Sequence, residues 1–73
     1  MKTYERDARY WEDVRMHVLT QAQAWGRGSE GRTLLAMAQG EDWQETLSLF
    51  APAGPHIPPA DCAVVIIRNI LLS

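Results

Sequence analysis

The chain has 73 residues and a mass of 8.2 kDa, of which 47% are hydrophobic and 22% are charged, and its formal net charge is −2. This composition is typical of a small globular domain and excludes a collagen-like, low-complexity or wholly disordered chain. The acidic balance argues against duplex DNA binding, which needs a basic face. A single core of this size rarely supplies more than about 3–5 kcal/mol and leaves little room for an enclosed active site. We predict one domain, residues 1–73.

The single cysteine and the composition of the two terminal segments predict a cytoplasmic location. Cys62 is the single cysteine, so an internal disulfide is excluded and a reducing cytoplasm is the natural location. The stretch from Met1 to Asp13 is charged and lacks the apolar run of a signal peptide. The most apolar segment, residues 62–72, is too short to cross a bilayer. We therefore expect a cytoplasmic protein with no membrane partner.

The first predicted element is a long amphipathic helix over residues 3–25. Thr3 or Asp7 would cap its start, and Gly26 and Gly28 would end it. No proline or glycine interrupts the span. Its apolar residues recur in steps of three and four, which places them on one helical face: Tyr4, Ala8, Trp11, Val14, Val18, Ala22 and Trp25.

Two shorter helices are predicted next. Ser29 is placed to cap the second helix, which ends at Gly40. Asp42 opens the third helix, with Glu45 three residues later as a variant of the capping box, and Pro52 ends it. The apolar face of this third helix contains three residues: Trp43, Leu47 and Phe50.

The C-terminal third begins with a connector over residues 52–59, where four prolines in eight residues forbid regular structure. Residues 60–72 have two interpretations. The run from Val64 to Ile67 has strand propensity, whereas Asp61, Arg68 and Asn69 share one helical face and no second strand is evident. We predict an all-α bundle of about four helices, with a C-terminal strand as the alternative. The predicted core is Trp11, Trp25, Leu34, Trp43, Leu47, Phe50, Val64 and Ile67.

The sequence predicts no catalytic set, no cofactor site and no metal site. His56 and Cys62 lie six residues apart, but no oxyanion-hole loop accompanies them, and a lone cysteine at an apolar helix start is usually a core residue. Asp13 and His17 stand one helical turn apart without a third ligand at a telling spacing. The glycine-rich residues 26–31 lack the Gly-Lys-Ser/Thr ending of a P-loop, so we interpret them as an interhelix turn.

The second and third helices also resemble a helix-turn-helix over about twenty residues, with Ala36 and Gly40 at the required spacing. The helix that would read DNA begins with three carboxylates, Glu41, Asp42 and Glu45, which phosphates would repel. A helical corner without DNA binding is therefore favoured. A small DNA-binding protein or a structural subunit remains an alternative.

The best interaction candidate is a basic and aromatic cluster that we call the N-terminal patch: Lys2, Arg6, Arg9 and Tyr10. Arginine and tyrosine are enriched at protein interfaces. Trp43, on the first turn of a short helix, is a further candidate for partner binding because tryptophan is the strongest hot-spot residue.

Over its whole length, and in its first residues (Met-Lys-Thr-Tyr-Glu-Arg) and its last (Ile-Leu-Leu-Ser), the chain resembles the small transcription regulators of phages that infect Xanthomonas. This resemblance rests on length and the N-terminal stretch, and it carries no functional residues over. It implies binding to host RNA polymerase in the host cytoplasm, with inhibition of initiation through sigma-factor engagement, and antitermination. We therefore expect a non-enzymatic phage protein with a larger host protein as its partner. The alternative is a stoichiometric inhibitor of another host enzyme, such as an anti-CRISPR protein or a nuclease inhibitor.

Overall fold

The computed structural model describes residues 2–73, and Met1 lies outside the described residues. Four helices follow one another along the chain: α1 (Ala8–Trp25), α2 (Ser29–Gln39), α3 (Trp43–Leu49) and α4 (Pro59–Leu72). Residues 2–73 contain no strand, which confirms the predicted all-α class. The alternative of a C-terminal strand is wrong, because residues 59–72 form α4 with Pro59 at its first position, where a missing N–H is tolerated.

The N-terminal helix begins five residues later than its apolar spacing predicts. Asp7 caps it by accepting a hydrogen bond from the backbone N–H of Tyr10 at 2.9 Å. Residues 2–6, which precede this cap, adopt no regular secondary structure, and the Tyr4 N–H donates to the carbonyl of Pro55 at 2.7 Å. Gly26 ends α1 at φ 64°, a conformation that glycine adopts without steric cost.

The side-chain caps predicted for α2 and α3 do not form. α2 starts at Ser29 itself, with Gly28 in the N-cap position, so the Ser29 hydroxyl caps nothing. Asp42 precedes α3 at φ −96° and ψ 27°, outside the extended conformation from which a cap side chain reaches the helix N–H groups. Both starts therefore depend on backbone hydrogen bonds, such as Thr46 N–H to Asp42 C=O at 2.9 Å.

The core forms where α2 and α4 pack on α1. α2 runs back along α1, because its last turn reaches Arg15, whose Nε donates to the Ala38 carbonyl at 2.7 Å. α4 begins near Tyr10 and ends near Gln21 and Trp25, so it runs in the same direction as α1. The buried hydrophobic residues are Tyr10, Trp11, Val14, Val18, Ala22, Leu34, Ala38, Leu47, Cys62, Ala63, Ile66 and Ile70.

Two residues expected in the core lie at the surface. Trp25 is 40% exposed and Val64 is 64% exposed. The buried face of α4 is the one that carries Cys62 and Ile66. At the edge of this face, the Asn69 amide donates to the Phe50 carbonyl at 2.9 Å. Of the other predicted core residues, three are fully covered (Trp11, Leu34 and Leu47) and three are half-buried (Trp43, Phe50 and Ile67).

Candidate protein-binding site

The N-terminal residues form a segment without regular secondary structure that is tied to the proline-rich connector. We call residues 2–7 the strap. Two backbone contacts hold it: the Tyr4 N–H donates to the Pro55 carbonyl at 2.7 Å, and Nδ1 of His56 lies 3.0 Å from the Lys2 carbonyl oxygen. Because proline supplies no N–H but keeps its carbonyl, the connector offers acceptors that the strap can use.

Arg6 of the predicted patch is largely engaged within the fold. Its Nη2 donates to the Pro52 carbonyl at 2.6 Å and to the Gly54 carbonyl at 3.2 Å. Its guanidinium carbon also lies 5.7 Å from the Tyr10 ring centre and 5.9 Å from the Trp11 ring centre. Arg6 is therefore half-buried and positions the strap on the connector, so only part of its hydrogen-bonding capacity is free for a partner.

Tyr10 was expected on the open surface of α1, and the structure corrects this expectation. The side chain is 4% exposed, and its hydroxyl donates to the Ile57 carbonyl at 2.7 Å. Burial, followed by contact with the Cys62 side chain, raises the pKa of Tyr10 to about 12, although Arg6 acts in the opposite direction. The connector packs over this side of α1. The helical periodicity of α1 alone does not predict that Tyr10 is buried, because the covering residues are distant in sequence. Tyr10 is a core residue and does not form part of a docking surface.

The cations that remain accessible in the patch are Lys2 and Arg9, both exposed. The Lys2 ammonium lies 5.0 Å from the centre of the Tyr4 ring, which holds it against the strap. None of the hydrogen bonds or ion pairs found among residues 2–73 involves the Arg9 side chain. Glu5 and Asp7 are exposed along the same segment, so the surface has mixed charge.

Trp43 is half-buried and lies beside a different part of α1. The Arg15 guanidinium carbon is 4.8 Å from the centre of the Trp43 ring, while Arg15 also lies 3.8 Å from the Glu12 carboxylate. No hydrogen bond or aromatic contact within the described chain joins Trp43 to the strap. The structure therefore does not unite Trp43 with the N-terminal patch, and one face of its ring is already occupied by Arg15.

The structure also shows where the other residues considered as candidate sites in the sequence lie. Cys62 is fully buried, and within residues 2–73 no hydrogen bond joins it to His56, which contacts Lys2 instead. The glycine-rich turn after α1 borders a shallow cavity of about 350 Å³ lined by Trp25, residues 28 and 29, Glu30 and Gly31. Across residues 2–73 there is no group of three metal-binding side chains and no helix long and apolar enough to cross a membrane.

Comparison of the chain with models of protein families, with curated proteins and with solved structures finds no significant match.

Proposed function

We propose that this protein is a small phage-type regulator that binds host RNA polymerase stoichiometrically and inhibits transcription initiation or promotes antitermination. The resemblance of its length and N-terminal stretch to small phage transcription regulators supplies the identity of the partner. The observation that supports an interaction surface at this end is the strap, which Tyr4 and Arg6 hold to the connector and which presents Lys2 next to Arg9 on the first turn of α1.

A strap fixed in this way lowers the cost of binding. A free terminal segment loses conformational entropy when a partner orders it, whereas the strap is already ordered by its bonds to the connector. Arg9 projects from the first turn of α1 and is free to form paired hydrogen bonds with a carboxylate. An acidic surface on a large host enzyme is the chemistry that such cations recognise.

The proposal is tested by measuring the affinity of the protein for purified bacterial RNA polymerase, as core enzyme and as sigma-bound holoenzyme, by biolayer interferometry. Lys2→Glu and Arg9→Glu should each weaken binding by about tenfold or more, equivalent to about 1.4 kcal/mol. Arg27→Glu is the matched control, because it makes the same charge change on an exposed residue beyond the opposite end of α1. Unchanged affinity in both variants would refute this end of the molecule, the strap and the first turn of α1, as the docking surface.

Arg6 needs a separate variant because it holds the strap. Arg6→Glu should loosen the segment as well as reverse a charge, so loss of binding in this variant would not separate the two effects. Arg6→Lys keeps the charge but removes the guanidinium whose Nη2 donates to both carbonyls, and hydrogen exchange at the Tyr4 N–H reports whether the strap has opened.

Biolayer interferometry with other purified partners distinguishes the alternative functions. Binding to a CRISPR effector complex or a nuclease, with none to polymerase, would establish an inhibitor of another host enzyme. Binding to duplex DNA that falls steeply with salt would establish a DNA-binding protein. The acidic start of α3, where Glu41, Asp42 and Glu45 are all exposed, opposes that last outcome.

A further inference from the structure

α4 is apolar on more faces than the fold covers. Ten of its fourteen residues are hydrophobic, yet only Cys62, Ala63, Ile66 and Ile70 are buried. Val64 is 64% exposed and Leu72 is 77% exposed. These exposed apolar side chains lie on the outward side of α4, which therefore has the character of an interface.

The outward residues form one continuous strip, which we call the α4 outer face: Asp61, Val64, Val65, Arg68, Leu71 and Leu72. At 100° per residue these positions fall within one side of the helix, opposite the buried set. A groove of about 330 Å³ runs along the edge of this strip, where Trp25 and Gln21 of α1 face Val64 and Leu71. The groove adds the half-exposed Trp25 ring to the apolar surface.

The two charged residues of this face are arranged symmetrically. Asp61 and Arg68 are exposed and lie seven residues apart, which is two helical turns and about 10.5 Å along the axis, too far for an ion pair with each other. Within the described chain neither forms a salt bridge. The midpoint between them falls between Val64 and Val65, the apolar centre of the strip.

We propose that the α4 outer face binds a second copy of this chain, with the two α4 helices antiparallel about a two-fold axis at Val64 and Val65. In this arrangement Asp61 lies opposite Arg68 of the second copy, and the reciprocal pair forms by symmetry. A parallel pair would instead align Asp61 with Asp61 and Arg68 with Arg68, which like charges oppose. The charges of the strip are therefore complementary to those of a second copy only when the two α4 helices are antiparallel.

The arrangement favours a second copy over an unrelated helix because both halves of the required charge pattern are present on one surface. An unrelated partner would need to supply an acid and a base at the same two-turn spacing, with an apolar centre between them. The apolar strip is short, so the interface belongs to the small, weakly associating class, and dimers form at micromolar to millimolar concentrations. This inference is independent of the proposed polymerase binding, since no residue belongs to both the strap and the α4 outer face.

The test uses charge exchange and sedimentation equilibrium on the full chain at micromolar to millimolar concentrations. Asp61→Arg places two arginines on the face and Arg68→Asp places two aspartates on it, so each variant alone should raise the dimer dissociation constant by about tenfold or more. An equimolar mixture of the two variants should associate again as a heterodimer, because every arginine then meets an aspartate. The double variant with both changes should restore the self-association of the original chain.

Leu49→Glu is the matched control, since Leu49 is 82% exposed on α3 and lies outside the strip. It should dimerise like the original chain, and far-ultraviolet circular dichroism should show unchanged helicity in all variants. A chain that stays monomeric at millimolar concentration would overturn the proposal. So would dimerisation of both single-charge variants at the original strength, or failure of their mixture to associate more tightly than either alone.

Discussion

The buried hydroxyl of Tyr10 makes a quantitative prediction about stability. Tyr10→Phe keeps the ring in the core but removes the donor to the Ile57 carbonyl, which is 2.7 Å away and receives no other hydrogen bond within the described chain. Leaving a partly buried acceptor unpaired costs about 1–3 kcal/mol. A domain of this size has only about 3–5 kcal/mol in total, so the variant should unfold at a clearly lower urea concentration at pH 8.

The same contact fixes the sign of a pH effect. The pKa of Tyr10 is about 12 in the folded protein against 10.0 for an unperturbed tyrosine, because burial disfavours the phenolate. The contribution of the neutral Tyr10 hydroxyl to the free energy of unfolding is therefore fully present below pH 10. This contribution is lost as the pH rises from 10 to 12. Two pKa units correspond to about 2.7 kcal/mol, of which about half is lost at pH 11.

The assay is urea unfolding of the original chain and of Tyr10→Phe at pH 8 and pH 11, followed by far-ultraviolet circular dichroism. Since only the original chain can ionise at residue 10, the gap in unfolding free energy between the two proteins should shrink by about 1.4 kcal/mol at pH 11. Effects of lysine or of the chain terminus are common to both proteins and cancel. An equal gap at both pH values would refute the assignment of Tyr10 as a buried donor.

Two further substitutions test the packing on α1. Gly31→Ala should lower the free energy of unfolding by about 1 kcal/mol in thermal melts, because the new methyl would lie 2.9 Å from the Gly26 carbonyl oxygen and the clash outweighs the gain in helix propensity. Gly40→Ala is its control, with the nearest atom at 3.6 Å and an ordinary φ of −66°, and a loss as large as that of Gly31→Ala would contradict the packing argument. Arg15→Met should cost about 1–3 kcal/mol in urea unfolding by removing the bond to the Ala38 carbonyl and the contact with Trp43, and unchanged stability would show that neither contact contributes.

Helical periodicity predicts most of this fold because it records local geometry. The spacing of Trp11, Val14 and Val18 identifies the buried side of α1, and all three are buried. Gly26 and Gly40 mark the ends of α1 and α2, since each lies in the C-cap position. These features need no knowledge of the rest of the chain.

Features that depend on distant segments could not be predicted in the same way. The strap lies outside α1, and Arg6 ties it to carbonyls of the connector that are 46 or more residues away in sequence. The same connector covers Tyr10, which periodicity places at the edge of the apolar side of α1. The structure therefore places Lys2 and Arg9 of the candidate patch at the surface and Tyr10 in the core, and partner binding by the patch stays a prediction.

The apolar character of α4 explains why the choice of its buried face failed. Because ten of the fourteen residues of α4 are hydrophobic, apolar character alone does not identify the side that faces α1, and Val64, expected in the core, is 64% exposed. The polar residues gave the better guide, since Asp61 and Arg68 are exposed as their shared face predicts. Asn69, at the edge of that face, is half-buried, and its amide donates to the Phe50 carbonyl.

Chain length connects the exposed side of α4 with the stability of the fold. A domain of 73 residues has too small an interior to enclose all of its apolar side chains, so some of them must lie outside. A second copy on the α4 outer face would cover them, and Val64 and Leu72 would then belong to a core shared by two chains. Because association stabilises the folded state by mass action, the unfolding midpoint of the original chain should rise with protein concentration, and that of Arg68→Asp should rise less over the same range.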